Sequence, residues 1–229
     1  KDGSLKASIS QAGTYYIKVT STDYYHDSGQ YGLILTEGSY DSNYEQEHNG
    51  NSGTNGAVTG NGSRLTNNQK MSGQLFSSSD RDYFIISATE PGSLKLNFDP
   101  STDSSYTDYY KISLKDSNFN TLSSFETGQD GEITAAVETA GDYWAIVEAT
   151  DYYHSDSVYG ITASLSTQTG TVETEDNDVV AKSDELTAGT ELKGQLSSSS
   201  DIDWFQYTAT STASLNLAFD LPTNSSYTD

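Results

Sequence analysis

The segment Asp23-Tyr24-Tyr25-His26 returns as Asp151-Tyr152-Tyr153-His154, 128 residues later. Internal repetition at such a spacing constrains the fold more than any other feature. Each copy must be one structural unit, and neighbouring copies must be strung or stacked together. Flanking residues keep the same register. Ala12-Gly13-Thr14-Tyr15 matches Ala140-Gly141-Asp142-Tyr143, and Tyr31-Gly32 matches Tyr159-Gly160.

A second set of matches has an offset of 121. Gly73-Gln74-Leu75 pairs with Gly194-Gln195-Leu196, and Asp80-Arg81-Asp82-Tyr83-Phe84 pairs with Asp201-Ile202-Asp203-Trp204-Phe205. Ser104 to Asp108 pairs with Ser225 to Asp229. The two offsets differ by an insertion of 7 residues in the Gly/Asn-rich stretch between Gly50 and Lys70. Together they predict three units. Residues 1–40 are the C-terminal part of a first repeat, 43–168 a complete repeat, and 171–229 the N-terminal part of a third. The two partial units together lack only the counterpart of Tyr109 to Gly128. A half sandwich would expose its core and its sheet edges. Completion is therefore expected, either by further repeats or by pairing of the two partial units, within or between chains.

The repeat reads as all-β. In Thr14–Thr20 the residues Tyr15, Ile17 and Val19 share one face, as do Tyr143, Ala145 and Val147 in the next copy. This is the period of a strand with one buried side. Leu94, Leu96 and Phe98, with counterparts Leu215, Leu217 and Phe219, repeat the pattern. Asp82–Ile86, Tyr110–Leu114, Glu132–Val137 and Tyr159–Leu165 read similarly. Short strands between Gly, Asn, Asp and Ser loops predict tandem β-sandwich or jelly-roll-like repeats. The stretch from Glu37 to Leu65 reads as a linker plus a loop. With 33% hydrophobic residues the core must be economical, and the 17 tyrosines help by burying rings while wetting hydroxyls. There is no Cys, so no disulfide staples the chain.

The net charge of −22 argues against nucleic acid, which needs basic surface. It favours solubility, salt tolerance or cation binding. No apolar run reaches bilayer length, so membrane insertion is not expected. The chain opens in mid-pattern at Lys1, so any leader would lie upstream.

One acidic pattern carries chemistry. Glu173, Glu175, Asn177 and Asp178 form E-x-E-x-N-D at the start of the third unit. The middle unit holds Glu45, Glu47, Asn49 and Gly50 at the same places. In extended chain Glu173, Glu175 and Asn177 fall on one side. Carboxylates that converge repel unless a cation lies between them. Ca²⁺ takes about 6–8 oxygen ligands, and carboxylate plus amide oxygen suits it. The pairs Asp80/Asp82 and Asp201/Asp203 are the candidates to complete each set. The plain alternative is a solvated acidic linker.

The order E-x-N, a Gly before a strand, D-x-D-[YW]-F, A-G-x-Y and a closing Y-G strand resembles the bacterial pre-peptidase C-terminal domain family. It also resembles the related collagen-binding domains of bacterial collagenases. The resemblance covers the middle unit and both partial ones. It implies jelly-roll β-sandwiches on secreted bacterial proteins, with calcium held between the acidic opening segment and the sandwich. Carried over, the ligands are Glu173, Glu175, Asn177 and Asp178 with Asp201 and Asp203, and equivalently Glu45, Glu47, Asn49, Asp80 and Asp82. Gly50 departs from the pattern by losing a carboxylate.

Tyrosines form the second candidate set. Tyr24, Tyr25, Tyr152 and Tyr153 in the D-Y-Y-H loops, with Tyr106, Tyr109 and Tyr110, are placed to stack on sugars or extended peptide. The competing reading is a structural turn that covers the sandwich end. Catalysis has little support. Of three His, two are copies of one position, and no nucleophile elbow, HExxH or Walker motif occurs. The expectation is a non-catalytic, calcium-stabilised, secreted or cell-surface tandem repeat with a structural or adhesive role. Its partners would be neighbouring repeats or other copies of itself. The rival is an accessory module that binds polysaccharide or fibrous protein for a secreted enzyme.

Overall fold

Alternation places Leu94, Leu96 and Phe98 on one face of the strand Gly92–Pro100, and all three are buried. Each contributes about 1.5–3 kcal/mol by leaving water. The computed structural model describes residues 4–9, 12–21, 28–46, 62–101, 109–150, 155, 157–167, 170–175, 177–196 and 201–220. Nine strands among them form two sheets. The first contains β1 (Ser63–Arg64), β3 (Arg81–Ala88), β5 (Tyr110–Lys115), β6 (Thr121–Thr127) and β8 (Gly141–Ala149), in the order β1-β3-β8-β5-β6. The second contains β2 (Lys70–Gly73), β4 (Gly92–Pro100), β7 (Gly131–Val137) and β9 (Tyr159–Thr167), in the order β2-β9-β4-β7. All pairs in the two sheets are antiparallel except β1 with β3.

One core cluster joins the facing sides of both sheets, so this part of the chain is an all-β sandwich. Phe98 sits between Tyr110 and Tyr159, with ring centroids 5.0 and 5.3 Å apart. β3 departs from simple alternation, because Asp82 to Ile86 are all buried. Its outer side chains, Tyr83 and Ile85, form a second cluster with Trp144 and Ile146, and Phe119 packs against it. The chain near Gly62 approaches so closely that a Cβ there would lie 2.9 Å from Ile85 and 3.0 Å from Trp144.

Two sequence expectations need correction. The linker expected from Glu37 to Leu65 is partly structural. Tyr44 bridges Ser72, Ser63–Arg64 pairs with β3, and Tyr44 and Leu65 are buried. Conversely, the alternating segment Thr14–Thr20 is not a strand, and neither is the described stretch around Leu215, Leu217 and Phe219. Alternation prepares a face for burial, but a strand needs neighbours to take its backbone hydrogen bonds. These segments have no sheet beside them among the described residues.

The start of the third unit nevertheless repeats the local pairing of the middle one. β10 (Thr171–Val172) pairs with β12 (Leu192–Lys193), placing Val172 opposite Lys193 as Tyr44 lies opposite Ser72. β11 (Asp184–Glu185) pairs with β13 (Phe205–Gln206), placing Asp184 opposite Phe205 as Ser63 lies opposite Phe84. A short 3₁₀ turn, Val180–Lys182, precedes β11. Among the described residues no helix is long and apolar enough to cross a membrane.

Candidate metal centre

Two carboxylates meet inside the sandwich. The backbone N–H of Glu45 donates to Ser72 O at 2.9 Å, which fixes the opening segment beside β2. Gln74 N–H then donates to Glu45 Oε1 at 2.5 Å. Asp82 enters from β3, and Tyr159 enters from β9. The Tyr159 hydroxyl donates to Asp82 Oδ2 and lies 3.3 Å from Glu45 Oε2. Glu45, Asp82 and Tyr159 are all buried. Gly73 is required at the crossing, since a Cβ there would come within 2.8 Å of Glu45 Oε2 and would strike the Tyr159 hydroxyl. Burial, with the Glu45 carboxylate beside it, drives the Asp82 carboxyl well above the usual carboxylate range. Burial likewise raises the Tyr159 hydroxyl, with the Asp82 and Glu45 charges adding to it.

The third unit builds the same corner, with no tyrosine at it among the described residues. Glu173 N–H donates to Lys193 O at 2.9 Å, and Gln195 N–H donates to Glu173 Oε1. A Cβ on Gly194 would lie 2.7 Å from Glu173 Oε2. Carboxylate oxygens of Glu173, Glu175 and Asp203 lie within 4.8 Å of one another. Asp184 Oδ2 accepts Thr174 N–H at 2.9 Å and Asn177 Nδ2 at 3.0 Å, which folds the opening segment inward. Ser63 Oγ performs the first of these tasks in the middle unit, accepting Gln46 N–H at 3.0 Å.

Among the described residues, five buried side-chain oxygens receive no hydrogen bond: Asp82 Oδ1, Glu173 Oε2, Glu175 Oε1, Asn177 Oδ1 and Asp203 Oδ1. Every one belongs to a residue expected from the sequence as a cation ligand. Orphaned acceptors in a low-dielectric place are costly, and a cation or a proton removes the cost. Burial is the main cause that pushes the Glu173 carboxyl up to about 8, opposed by the Gln195 N–H and reinforced by the Asp203 and Glu175 charges. Burial and the charges of Asp201, Asp203 and Asp178 push Glu175 up to about 7. Asp203 is also raised, again chiefly by burial. The clustered donors are three carboxylates, and the orphaned Asn177 Oδ1 on the same opening segment is an amide oxygen. That set suits a hard cation, and four oxygens would leave room for water or further carboxylates.

The remaining expected ligands take supporting places. Asp80 accepts Phe76 N–H at 2.7 Å and Arg81 N–H at 3.0 Å, so it holds the turn before β3. Asp178 Oδ1 accepts Ile202 N–H at 3.0 Å, drawing the opening segment toward Asp201. Glu47 and Asn49 lie outside the described residues. So do Tyr24, Tyr25, Tyr106, Tyr152 and Tyr153. Tyr110 corrects the loop-aromatic expectation: it begins β5, its ring is in the core, and its hydroxyl donates to Ser157 O at 3.3 Å. Tyr109 packs against the same core. Sequence reading missed Tyr159, Gly73 and Asp184. Repeat alignment held a signal for the first two, since Tyr31 and Gly194 stand at the matching positions.

No protein-family model matches the chain, and no curated protein matches it. Among solved structures it is similar to the pre-peptidase C-terminal domain of a collagenase from Bacillus anthracis. The identity is 16%, the TM-score 0.35, and the match covers 44% of this chain and 91% of that one.

Proposed function

We propose that this chain is a non-catalytic, calcium-stabilised stretch of tandem jelly-roll-like β-sandwich repeats, secreted or displayed at a cell surface, with a structural or adhesive role. The observation that carries the reading is the set of five buried oxygens without donors, all on the expected ligands. Glu173, Glu175, Asn177 and Asp203 would hold the ion in the third unit, with Asp178 and Asp201 close by. In the middle unit Glu45 and Asp82 would serve, with Glu47 and Asn49. Extracellular calcium modules work at about 10⁻⁴–10⁻³ M, where a partly hydrated site of this charge belongs.

The mechanical consequence follows from where the ligands sit. Each set joins the opening segment of a unit to the body of the same unit. A cation there would cancel the mutual repulsion of the carboxylates and lock the segment down. Contacts across the junctions support a stiff array. Gln74 Nε2 donates to Ser4 O at 3.2 Å, and its repeat counterpart Gln195 accepts from Ser93 Oγ at 3.0 Å through Oε1. Melting curves in excess calcium and in excess chelator test the reading. Chelation is expected to lower the melting temperature and speed proteolysis near Glu45 and Glu173. Identical curves would remove the cation from the account.

A further inference from the structure

Three successive amides of the third unit's opening segment go to three different acceptors. Glu173 N–H donates to Lys193 O at 2.9 Å, and Thr174 N–H donates to Asp184 Oδ2 at 2.9 Å. Both acceptors belong to the third unit. Glu175 N–H donates instead to the carboxylate of Glu138, which follows β7 of the middle sandwich. The segment that carries the acids is therefore gripped from two sides, and one of them is the unit before.

Glu138 stands on rigid ground. Val137 before it is fully buried. Thr139 after it is pinned by the buried Tyr143, whose hydroxyl donates to Thr139 O at 3.0 Å. Burial raises the Glu138 carboxyl, the Glu175 N–H opposes that, and the Asp184 and Asp116 charges add to it. Beside this joint lies a cavity of about 220 Å³, lined in part by Asp116, Asn118, Asn120, Glu138, Tyr143 and Glu175. Asp116 is engaged in its own turn, accepting Asn118 N–H, Asn120 N–H and Asn120 Nδ2, each at 2.8 Å. Loss of the Glu138 carboxylate would leave the Glu175 amide to water in that cavity.

The earlier junction is gripped from the same part of the preceding unit. Ser8, which matches Ala136 of β7 at the 128 offset, bridges Gln46, the residue after Glu45. Ser8 Oγ also donates to Asp41 O at 2.9 Å. The means differ, a backbone pairing there and a carboxylate here. In both, residues at or matching the end of β7 hold the acidic segment of the next unit.

We infer that Glu138 is a positioning residue for the acid corner of the third unit, and that by holding Glu175 N–H it fixes where the Glu175 carboxylate stands. Its consequence for the ion rests on the calcium reading above. There, affinity in one unit depends on the folded state of the unit before it, and by linkage the ion steadies that earlier unit in return. Such nearest-neighbour coupling is how a repeat array becomes stiff as a whole.

Hydrogen exchange of the 229-residue chain in chelator tests the hold, and calcium titration tests the consequence. Glu138→Ala removes the acceptor, and Glu138→Gln keeps an acceptor oxygen without the charge. Glu132→Ala is the control, since it removes an exposed carboxylate from β7. In Glu138→Ala the Glu175 amide is expected to exchange at least about tenfold faster. The Gln195 amide, bound to Glu173, is expected to keep its rate. Calcium is expected to bind about tenfold more weakly. Glu138→Gln is expected to stay within about threefold of wild type in both readings, and Glu132→Ala to match wild type. Equal Glu175 exchange in wild type and Glu138→Ala would overturn the inference. So would equal quickening at Gln195, which marks a general loss of structure. Calcium binding unchanged in Glu138→Ala, or weakened alike in the Ala and Gln variants, would overturn it too, the latter by assigning the effect to charge. A wild type that takes up no calcium would remove the cation reading, and the exchange rates in chelator would still decide the inference.

Discussion

Glu45 and Glu173 are held in the same way at first and differently afterwards. Each has its backbone bonded to the neighbouring strand and one carboxylate oxygen bonded to the N–H of a glutamine. In the middle unit Tyr159 then covers the pair Glu45/Asp82 from β9. In the third unit no strand equivalent to β9 follows among the described residues, and Glu175 and Asp203 remain half-buried around Glu173. The difference teaches that the acid corner is a local structure. In both units it is built from the opening segment, a Gly-Gln pair and one Asp. In the middle unit β9 adds a hydroxyl and dryness.

The largest expected effect separates the two tyrosines. Tyr159→Ala removes a buried ring packed between Phe98, Tyr110 and Phe84, and is expected to cost about 3–5 kcal/mol in urea unfolding. Tyr31→Ala, at the matching but exposed position, is expected to change stability by less than about 0.5 kcal/mol in dilute solution. Similar losses at both would erase the contrast. The two glycines come next. Gly73→Ala forces a Cβ against the Tyr159 hydroxyl and Glu45 Oε2, and is expected to destabilise the sandwich by about 1–3 kcal/mol. Gly194→Ala meets the carboxylates of Glu173 and Asp203 first, and is expected to weaken cation binding more than folding. Comparing unfolding with calcium titration for both variants checks this.

Acidity gives a smaller effect with a definite sign. Glu173 and Glu175 have folded values near 8 and 7, above the ordinary 4.5. Across that window the folded state holds more protons than the unfolded state, so stability falls as pH rises. Without metal, the third unit is expected to be most stable near pH 4.5 and to lose that stability progressively toward pH 8. Calcium replaces the protons, so its affinity should climb over the same window and the pH dependence of stability should flatten. Hydrogen exchange of the Glu173 and Gln195 amides, read with and without calcium, reports both. A flat profile would mean the carboxyls are ionised and solvated in the free protein, and a rising one that their folded values lie below the ordinary range. The smallest expected effect is at the junction. Ser93→Ala removes one hydrogen bond to Gln195 and is expected to cost about 0.5–1.5 kcal/mol of docking without altering the sandwich.

Much of the sandwich was legible in the sequence, because alternation in β4, β5, β7 and β9 writes the buried face directly. The reading failed where partners decide the outcome. Thr14–Thr20 carries the same alternation as β8 yet forms no strand without neighbours. Tyr110 reads both as the start of a strand and as a loop aromatic beside Tyr109, and the pairing of β5 with β8 decides for the core. The acids of the candidate site are visible in the sequence, since Glu173, Glu175 and Asn177 alternate and Asp203 follows in a repeated D-x-D. Tyr159 was not, because nothing local announces that β9 pairs with β2 and brings a hydroxyl to residues 114 and 77 positions away. Asp184 was hidden for the same reason. Its counterpart is a serine, so the repeat alone does not mark it as an acceptor.

Calorimetric titration of calcium into the whole chain addresses the central claim most directly, with Glu173→Gln plus Asp203→Asn as the comparison. The account predicts binding in the wild type at about 10⁻⁴–10⁻³ M, release of protons below pH 8, and loss of that binding event in the variant. A wild type that takes up no calcium at neutral pH, or a variant that binds it equally well, would contradict it.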